Sequence, residues 1–197
     1  MLDKYTALLS STPEGTAVVP ENAVVLGYDV LTRRIQEYRT GRSLPAARGS
    51  LRLYTVPTQP FETCIAVKDA IHCLKPNGSE FDPGFSLQLI FSYVSASAMQ
   101  HLLSTATDRD GAVHDCITLE MLYNLISRDV RRICAQAAET FSHGERLTYE
   151  HWWQDLMYGN QYRDLIHTPL MQLFNSYGLR LEKTGLRIAG LAPIPLN

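Results

Sequence analysis

The change of hydrophobic period near Ser95 constrains this 197-residue chain more than any other feature. Before it, apolar residues alternate or come in short runs, the pattern of strands. After it they recur every three or four positions, the pattern of helices. Residues 84–94 form the last strand before the change. Phe85, Leu87, Leu89, Phe91 and Tyr93 fall on one of its faces, and Ser86, Gln88, Ile90, Ser92 and Val94 on the other. A face that apolar must be covered. The spacing predicts helices at 96–106, 118–141, 149–157 and 161–177 to cover it. The longest carries Leu119, Leu122, Ile126, Val130, Ile133 and Ala137 as one stripe.

Upstream, strands are predicted at 17–19, 23–28, 34–38, 51–56, 61–67 and 70–74. Turn residues separate them: Pro20-Glu21-Asn22, Gly41, Pro45, Gly49, Pro57 and Pro76-Asn77-Gly78. No connection is long enough for a crossover helix, so the strands should run antiparallel. Residues 1–12 place Leu2, Tyr5, Leu8 and Leu9 near helical spacing and predict a short helix, docked on the body or, less favoured by its shortness and by Asp3 and Lys4, lying in a membrane interface. Pro169 should kink or restart the last helix, with Thr168 as its N-cap. Gly178 stands where a C-cap glycine belongs. A terminal strand at 179–191 follows, with Gly185 and Gly190 as bulge or bend points. Strands, then helices, then one closing strand make an α+β fold rather than a doubly wound sheet. The expected division is an N-terminal segment at 1–14, a strand-rich part at 15–95 and a helical part at 96–197, integrated as one domain.

Composition narrows the function classes. The apolar fraction is 45% and the formal net charge is −2. This is an ordinary globular balance, and it argues against a general nucleic-acid binder while leaving room for a local basic patch. No apolar run approaches the roughly 18–20 residues of a membrane span. No charged leader followed by an apolar run and a cleavage site is present, so no secretion signal is expected. Cys64, Cys73, Cys116 and Cys134 include no C-x-x-C pair, and are read as buried thiols of a reducing compartment.

Signatures of chemistry are missing from the sequence. It contains no glycine-rich phosphate loop and no G-x-S-x-G elbow. Asp108-Arg109-Asp110-Gly111 with His114 and Asp115 is the densest polar cluster. A calcium loop would need acidic ligands where Ala112 and Leu119 stand, so the stretch reads as a connection whose Asp115 or Thr118 caps the next helix. Among His72, His101, His114, His143, His151 and His167, no two share i, i+4 spacing, which excludes an H-E-x-x-H zinc site. His143 and His151 flank the turn at Gly144 and could meet in space; they are the nucleus of a rival hydrolase reading. No catalytic, cofactor-binding or metal-ligating residue is assigned, and no small-molecule substrate or cofactor is expected.

Two groups remain as interaction candidates. Tyr149, Trp152, Trp153 and Tyr158, with Met157 and Tyr162 nearby, form an aromatic group that could anchor an interface or equally pack between helices, with both adjacent tryptophans less readily buried than one. Residues 33–52 contain Arg33, Arg34, Arg39, Arg42, Arg48 and Arg52 against Glu37 alone. Arg33, Arg34, Arg39 and Arg42 lead this candidate contact to an anionic surface, lipid headgroups or a phosphate backbone. The stretch is also the basis of an alternative reading as a nucleic-acid-binding module.

Several local patterns resemble one family. Tyr54-Thr55-Val56-Pro57-Thr58-Gln59-Pro60-Phe61-Glu62 is similar to a hydrophobic strand with Val-Pro near its end. Ala66-Val67-Lys68-Asp69 is similar to the strand after it, and residues 85–94 running into Ser95-Ala96-Ser97-Ala98 to a long strand entering a helix. Arg128, Arg131 and Arg132 give residues 122–132 a basic end. In residues 173–188 a helix ends in Tyr177-Gly178-Leu179 and an alternating strand follows, with Pro193 beyond it. Together these resemble the SPFH (stomatin/prohibitin/flotillin, prohibitin-homology) domain. The resemblance implies a non-enzymatic scaffold that self-associates or binds a protein partner. It also implies a cytoplasmic location, peripheral to the inner face of a membrane, with the arginine stretch on the membrane-proximal half.

Overall fold

A computed structural model describes residues 6–105 and 114–187 of the chain. The first half holds β1 (Ala7–Ser11), β2 (Ala23–Asp29), β3 (Ile35–Arg39), β4 (Leu51–Pro57), β5 (Phe61–Val67), β6 (Cys73–Leu74), β7 (Glu80–Phe81) and β8 (Phe85–Tyr93). Helix α1 (Ala96–Thr105), strand β9 (Cys116–Thr118) and helices α2 (Leu119–Phe141), α3 (Tyr149–Tyr158) and α4 (Gln161–Ser176) follow. Strand β10 (Leu179–Arg187) closes the fold. The architecture is α+β, strand-rich first and helical second, as the change of period predicts.

One sheet runs β3-β2-β4-β1-β9, a second β10-β8-β5, and β6 pairs with β7 in a small ribbon. All of these strand pairs are antiparallel. Strand β2 is buried on both faces. Val24, Leu26 and Tyr28 face the main core, while Val25 packs with Val19 and Leu53 in a smaller cluster under Tyr38, Leu44 and Leu51. In the second sheet, Phe85, Leu87, Leu89 and Phe91 of β8 are all buried. Phe91 meets Phe174 of α4 at 5.1 Å between ring centroids. The main core is contiguous, joining Leu8 and Tyr54 of the first sheet to Phe91, Leu102 and Ile126.

Several local expectations need correction. Residues 7–11 form strand β1 rather than a helix; residues 1–5 lie outside the described residues. The near-helical spacing of Leu8 and Leu9 yields to pairing, because β1 fills the gap between β4 and β9. Thr12 extends that pairing through its N–H to the Leu53 carbonyl at 2.8 Å. The strands expected at 17–19 and 70–74 shrink to the bridge between Val18 and Ser43 and to the two residues of β6.

Helix α4 runs through Pro169 without restarting at Thr168. A proline in a helix interior costs about 3 kcal/mol. However, Tyr162, Ile166, Leu170 and Phe174 are all buried at four-residue spacing. Burying each large apolar side chain contributes about 1.5–3 kcal/mol. A break between Ile166 and Leu170 would move half of that set off the core, so packing outweighs the proline.

The bulge in β10 falls between Leu181 and Lys183, whereas Gly185 is regularly paired with Gln88. The bulged Glu182 is tied down on its own account. It accepts a hydrogen bond from Ser92 Oγ at 2.7 Å and one from Arg180 at 3.2 Å. Gly190 lies outside the described residues.

The thiols are unpaired but not uniformly buried: Cys116 is exposed and Cys64 half-buried. Burial pushes the Cys73 thiol up to about 11, reinforced by the charge of Asp82, and the Cys134 thiol up to about 12. Both stay protonated and unreactive near neutral pH.

A polar tie joins the two sheets. Tyr93 Oη donates to Glu37 Oε2 at 2.6 Å, and Arg39 Nε bonds Glu37 Oε1 at 2.7 Å. Desolvation raises the pKa of Glu37, but the hydrogen bond from Tyr93 and the hydrogen bond and charge of Arg39 together outweigh it and hold the carboxyl below its usual range. Because the folded pKa is depressed, this stabilisation is complete above the unfolded pKa. It is lost as pH falls through the folded value. Tyr93→Phe is therefore expected to destabilise the protein by about 1–2 kcal/mol near neutral pH and by less under acid conditions. Urea melts at a series of pH values measure this; a pH-independent loss would mean that the tie does not hold in solution.

Candidate interaction surfaces

Helix α3 has a defined start and a shared end. Thr148 caps it, its side chain accepting the His151 N–H at 3.2 Å. At the other end Asp155 turns outward and caps the next helix instead. Its carboxylate accepts the Gln161 N–H at 3.2 Å and the Tyr162 N–H at 2.9 Å, where Asn160 supplies no side-chain bond. An acid at this N-terminus also complements the α4 dipole. The two short helices are thereby locked at a fixed corner, which determines the directions in which the α3 side chains point.

One stripe of α3 faces inward. Trp152 is 0% exposed and Leu156 is buried beside it. The indole lies 5.8 Å from the Phe85 ring and 6.4 Å from Tyr162. Tyr162 in turn donates from its hydroxyl to the Cys134 carbonyl at 3.1 Å, and burial pushes its own pKa well up. Trp152 is thus a core residue, and the sequence-based expectation that it offers interface area is corrected. Adjacent positions on a helix point about 100° apart, so only one of the two tryptophans can share the inward direction.

The other stripe faces outward. Tyr149, Trp153 and Met157 follow at four-residue spacing, and the Tyr149 and Trp153 rings stand 5.8 Å apart. Tyr149 also contacts Phe81 of β7 at 5.3 Å. Tyr149 and Trp153 are half-buried, Met157 is 37% exposed and Tyr158, at the end, 87% exposed. Three of the four proposed aromatics therefore line the surface, and Met157 joins them. The period of 3.6 already contained this separation into two stripes.

The arginine stretch is divided by the fold. Arg33 and Arg34 lie at the turn between β2 and β3, whereas Arg39 and Arg42 lie at the far end of β3, opposite Val24 and Val19. Arg39 is engaged by Glu37. Arg48 and Arg52 instead join Arg33 and Arg34. Arg52 is opposite Tyr28 in the sheet, and the Val30 N–H bonds the Ser50 carbonyl at 3.0 Å. Residues that are consecutive in sequence thus split into two clusters, and the hairpin pairing decides the membership.

The two histidines stand in different settings. His143 sits in the left-handed region at φ 53°, exposed, and His151 packs its ring on Phe141 at 4.7 Å. A cleft of about 280 Å³ is lined by His72, Glu80, Glu139, Glu145 and Arg146 among others, and neither His143 nor His151 lines it. Among the described residues, no group of three or more His, Cys, Asp or Glu side chains is placed to hold a metal ion. Residues 108–111 of the polar loop lie outside the described residues. Thr118, not Asp115, caps α2, accepting the Met121 N–H at 3.3 Å. Among the described residues, no helix is long and apolar enough to cross a membrane. In comparisons with known proteins, no family model matches the chain and no curated protein matches it significantly.

Proposed function

We propose that this chain is a non-enzymatic assembly module of SPFH type that self-associates through the outer stripe of α3. The carrying observation is the row Tyr149, Trp153 and Met157, with Met157 37% exposed, flanked at the end of the helix by Tyr158, which points about 100° away from Met157 and is 87% exposed. Aromatic and methionine side chains grouped on a rigid helix are the composition of an interface centre. The open sheets add support. Strands β3, β9, β5 and β10 are the outer members of their sheets, and an outer strand invites covering by another chain. The order of strands, helices and closing strand is also the one the SPFH resemblance implies.

Area limits the strength of the association. An aromatic side chain offers at most about 150–250 Å², and part of Tyr149 and Trp153 is already covered. A stable interface needs about 800 Å² from each partner. The stripe is its centre rather than its whole, so the expected association is weak and concentration-dependent. Light scattering after size exclusion, over a wide concentration range, should show the mass rising above one chain. Tyr158→Ser is expected to weaken the association about tenfold with no change in thermal stability. A strictly monomeric mass at the highest concentration would overturn self-association and leave a hetero-partner as the occupant of the stripe.

A further inference from the structure

Leu31 is 83% exposed, the most exposed of the large apolar side chains in the described β-hairpins. It is not on a loose loop. Asp29 Oδ1 accepts the N–H groups of Leu31 and Thr32, both at 3.0 Å. These bonds, first the one from Thr32, hold the Asp29 carboxyl below its usual range. Arg33 adopts φ 57°, which completes a tight turn and returns the chain into β3. The turn therefore presents an aliphatic side chain outward, on the end of a paired hairpin.

Four arginines surround it. The Asp29 N–H bonds the Arg34 carbonyl at 2.9 Å, which places Arg34 beside the turn, next to Arg33. From the β4 side, Arg52 is opposite Tyr28, and its guanidinium reaches back to the Gly49 carbonyl at 3.0 Å. Arg48 begins the turn that ends at Leu51. All four are exposed. Among the described residues, none holds Arg33, Arg34 or Arg48 in an ion pair. The carboxylate at the turn, Asp29, is occupied by the turn N–H groups. Glu14 follows β1 and Asp115 precedes β9 at the same end. Glu14 lines a cleft with Ala46 and Ala47, on the Arg48 side, whereas Asp115, next to β9, stands three strands from β2, roughly 15 Å at a strand spacing of about 4.8 Å. The Asp115 distance exceeds the Debye length of about 10 Å at 0.1 M salt. Four arginines against the carboxylates of Asp29 and Glu14 leave this end net basic around Leu31.

We infer that the β2–β3 tip docks on an anionic lipid bilayer, with Leu31 entering the acyl boundary and Arg33, Arg34, Arg48 and Arg52 at the headgroups. Charge complementarity selects an anionic partner, and Leu31 selects among anionic partners. An aliphatic side chain gains by leaving water for acyl chains. A nucleic-acid strand would reward an aromatic stacking platform, which this tip lacks. The inference is independent of self-association, since α3 contributes nothing to the tip.

The test is flotation of the whole chain with vesicles of phosphatidylcholine alone, or with a third of the lipid replaced by phosphatidylserine. Binding is expected only to the phosphatidylserine vesicles and should fall as salt is raised. Leu31→Ser should weaken it about tenfold. Arg33→Gln with Arg34→Gln should weaken it about twenty-five-fold, from roughly fivefold for each charge. Arg39→Gln with Arg42→Gln, at the opposite end of β3, should change it less than about twofold. All three variants alter exposed side chains and should keep the wild-type circular dichroism spectrum. Failure of the wild type to float with phosphatidylserine overturns the inference. So does wild-type binding by Leu31→Ser together with equal competition from duplex DNA, which would make the arginines a phosphate-backbone contact.

Discussion

Gly178→Ala is expected to lower stability by about 3–4 kcal/mol, far more than the exchange of one hydrogen atom for a methyl group suggests. Two effects add. Gly178 has φ 76°, and an L-residue in the left-handed region costs about 1–2 kcal/mol. The new Cβ would also stand 2.8 Å from the Ser95 carbonyl oxygen and 2.8 Å from the backbone nitrogen and Cγ of Met99. Two of these atoms are backbone at the start of α1, so a rotamer change cannot relieve the clash. Gly178 is a joint of four elements. Its N–H bonds the Asn175 carbonyl at the end of α4, and its carbonyl accepts the Val94 N–H just past β8. Strand β10 begins at the next residue. Displacing α1 therefore disturbs the sheet it covers. For a chain of this length each kcal/mol lowers the melting temperature by about 2–4 °C, so a fall of roughly 10 °C is expected. Gly41→Ala is the control. Gly41 has φ 79°, but nothing lies within 4 Å of an added Cβ. It should show the backbone part alone, about 1 kcal/mol. Equal losses at the two positions would mean that α1 does not approach Gly178 as closely as described.

The same glycine shows which parts of the fold were legible in sequence. Its place after a helical run and before an alternating run identified the C-cap, because both periods are local. Strand β8 and the stripe of α2 were legible for the same reason: each sheet or helix face repeats within a dozen residues. What the sequence concealed depends on partners far along the chain. Strand β1 exists because β4 and β9 flank it, and Ser10 pairs with both Thr55 and Cys116. Nothing within residues 7–11 could announce that. The restart expected at Pro169 fails by the converse logic, since the local penalty is offset by a buried row that spans it.

The candidate surfaces divide along the same line. The aromatic group was visible as composition, and its helical period already implied an inner and an outer stripe. Which stripe faced inward depended on the register of α3 against Phe85 and Tyr162, 64 residues before and 13 after Tyr149 in the chain. The arginines were visible as a run, but a hairpin folds a run back on itself. Arg39 and Arg42 went to one end of β3 and Arg33 and Arg34 to the other, and β4 brought Arg48 and Arg52 to the latter. Leu31 carried a usable signal: an aliphatic residue in a turn between two strands, followed by Thr32-Arg33-Arg34, has no core to enter.

Trp152→Ala and Trp153→Ala are expected to behave in opposite ways. Trp152 fills the space between Phe85, Tyr149 and Tyr162 with no exposed surface. Truncating a fully buried tryptophan leaves a cavity and costs about 3–5 kcal/mol. That is a large share of the roughly 5–15 kcal/mol that holds a typical domain together, so the variant should melt far earlier or fail to accumulate as folded protein. Trp152→Phe distinguishes packing from polarity. The indole N–H is buried with no hydrogen-bond partner among the described residues. Phenylalanine therefore forfeits volume but no bond, and should retain most of the stability, losing about 1–2 kcal/mol. Trp153 is half-buried on the outer stripe, one side packed against the edge of the core and the other open, so truncation removes only part of its contacts. Its alanine variant should lose less than about 1 kcal/mol of stability while weakening self-association about tenfold or more. Urea denaturation gives the first quantity and concentration-dependent light scattering the second, on the same samples. If Trp153→Ala unfolds as readily as Trp152→Ala, the outer stripe is core and cannot be the association surface. If Trp153→Ala with Tyr158→Ser remains folded and associates like the wild type, the chain assembles through its sheet edges instead.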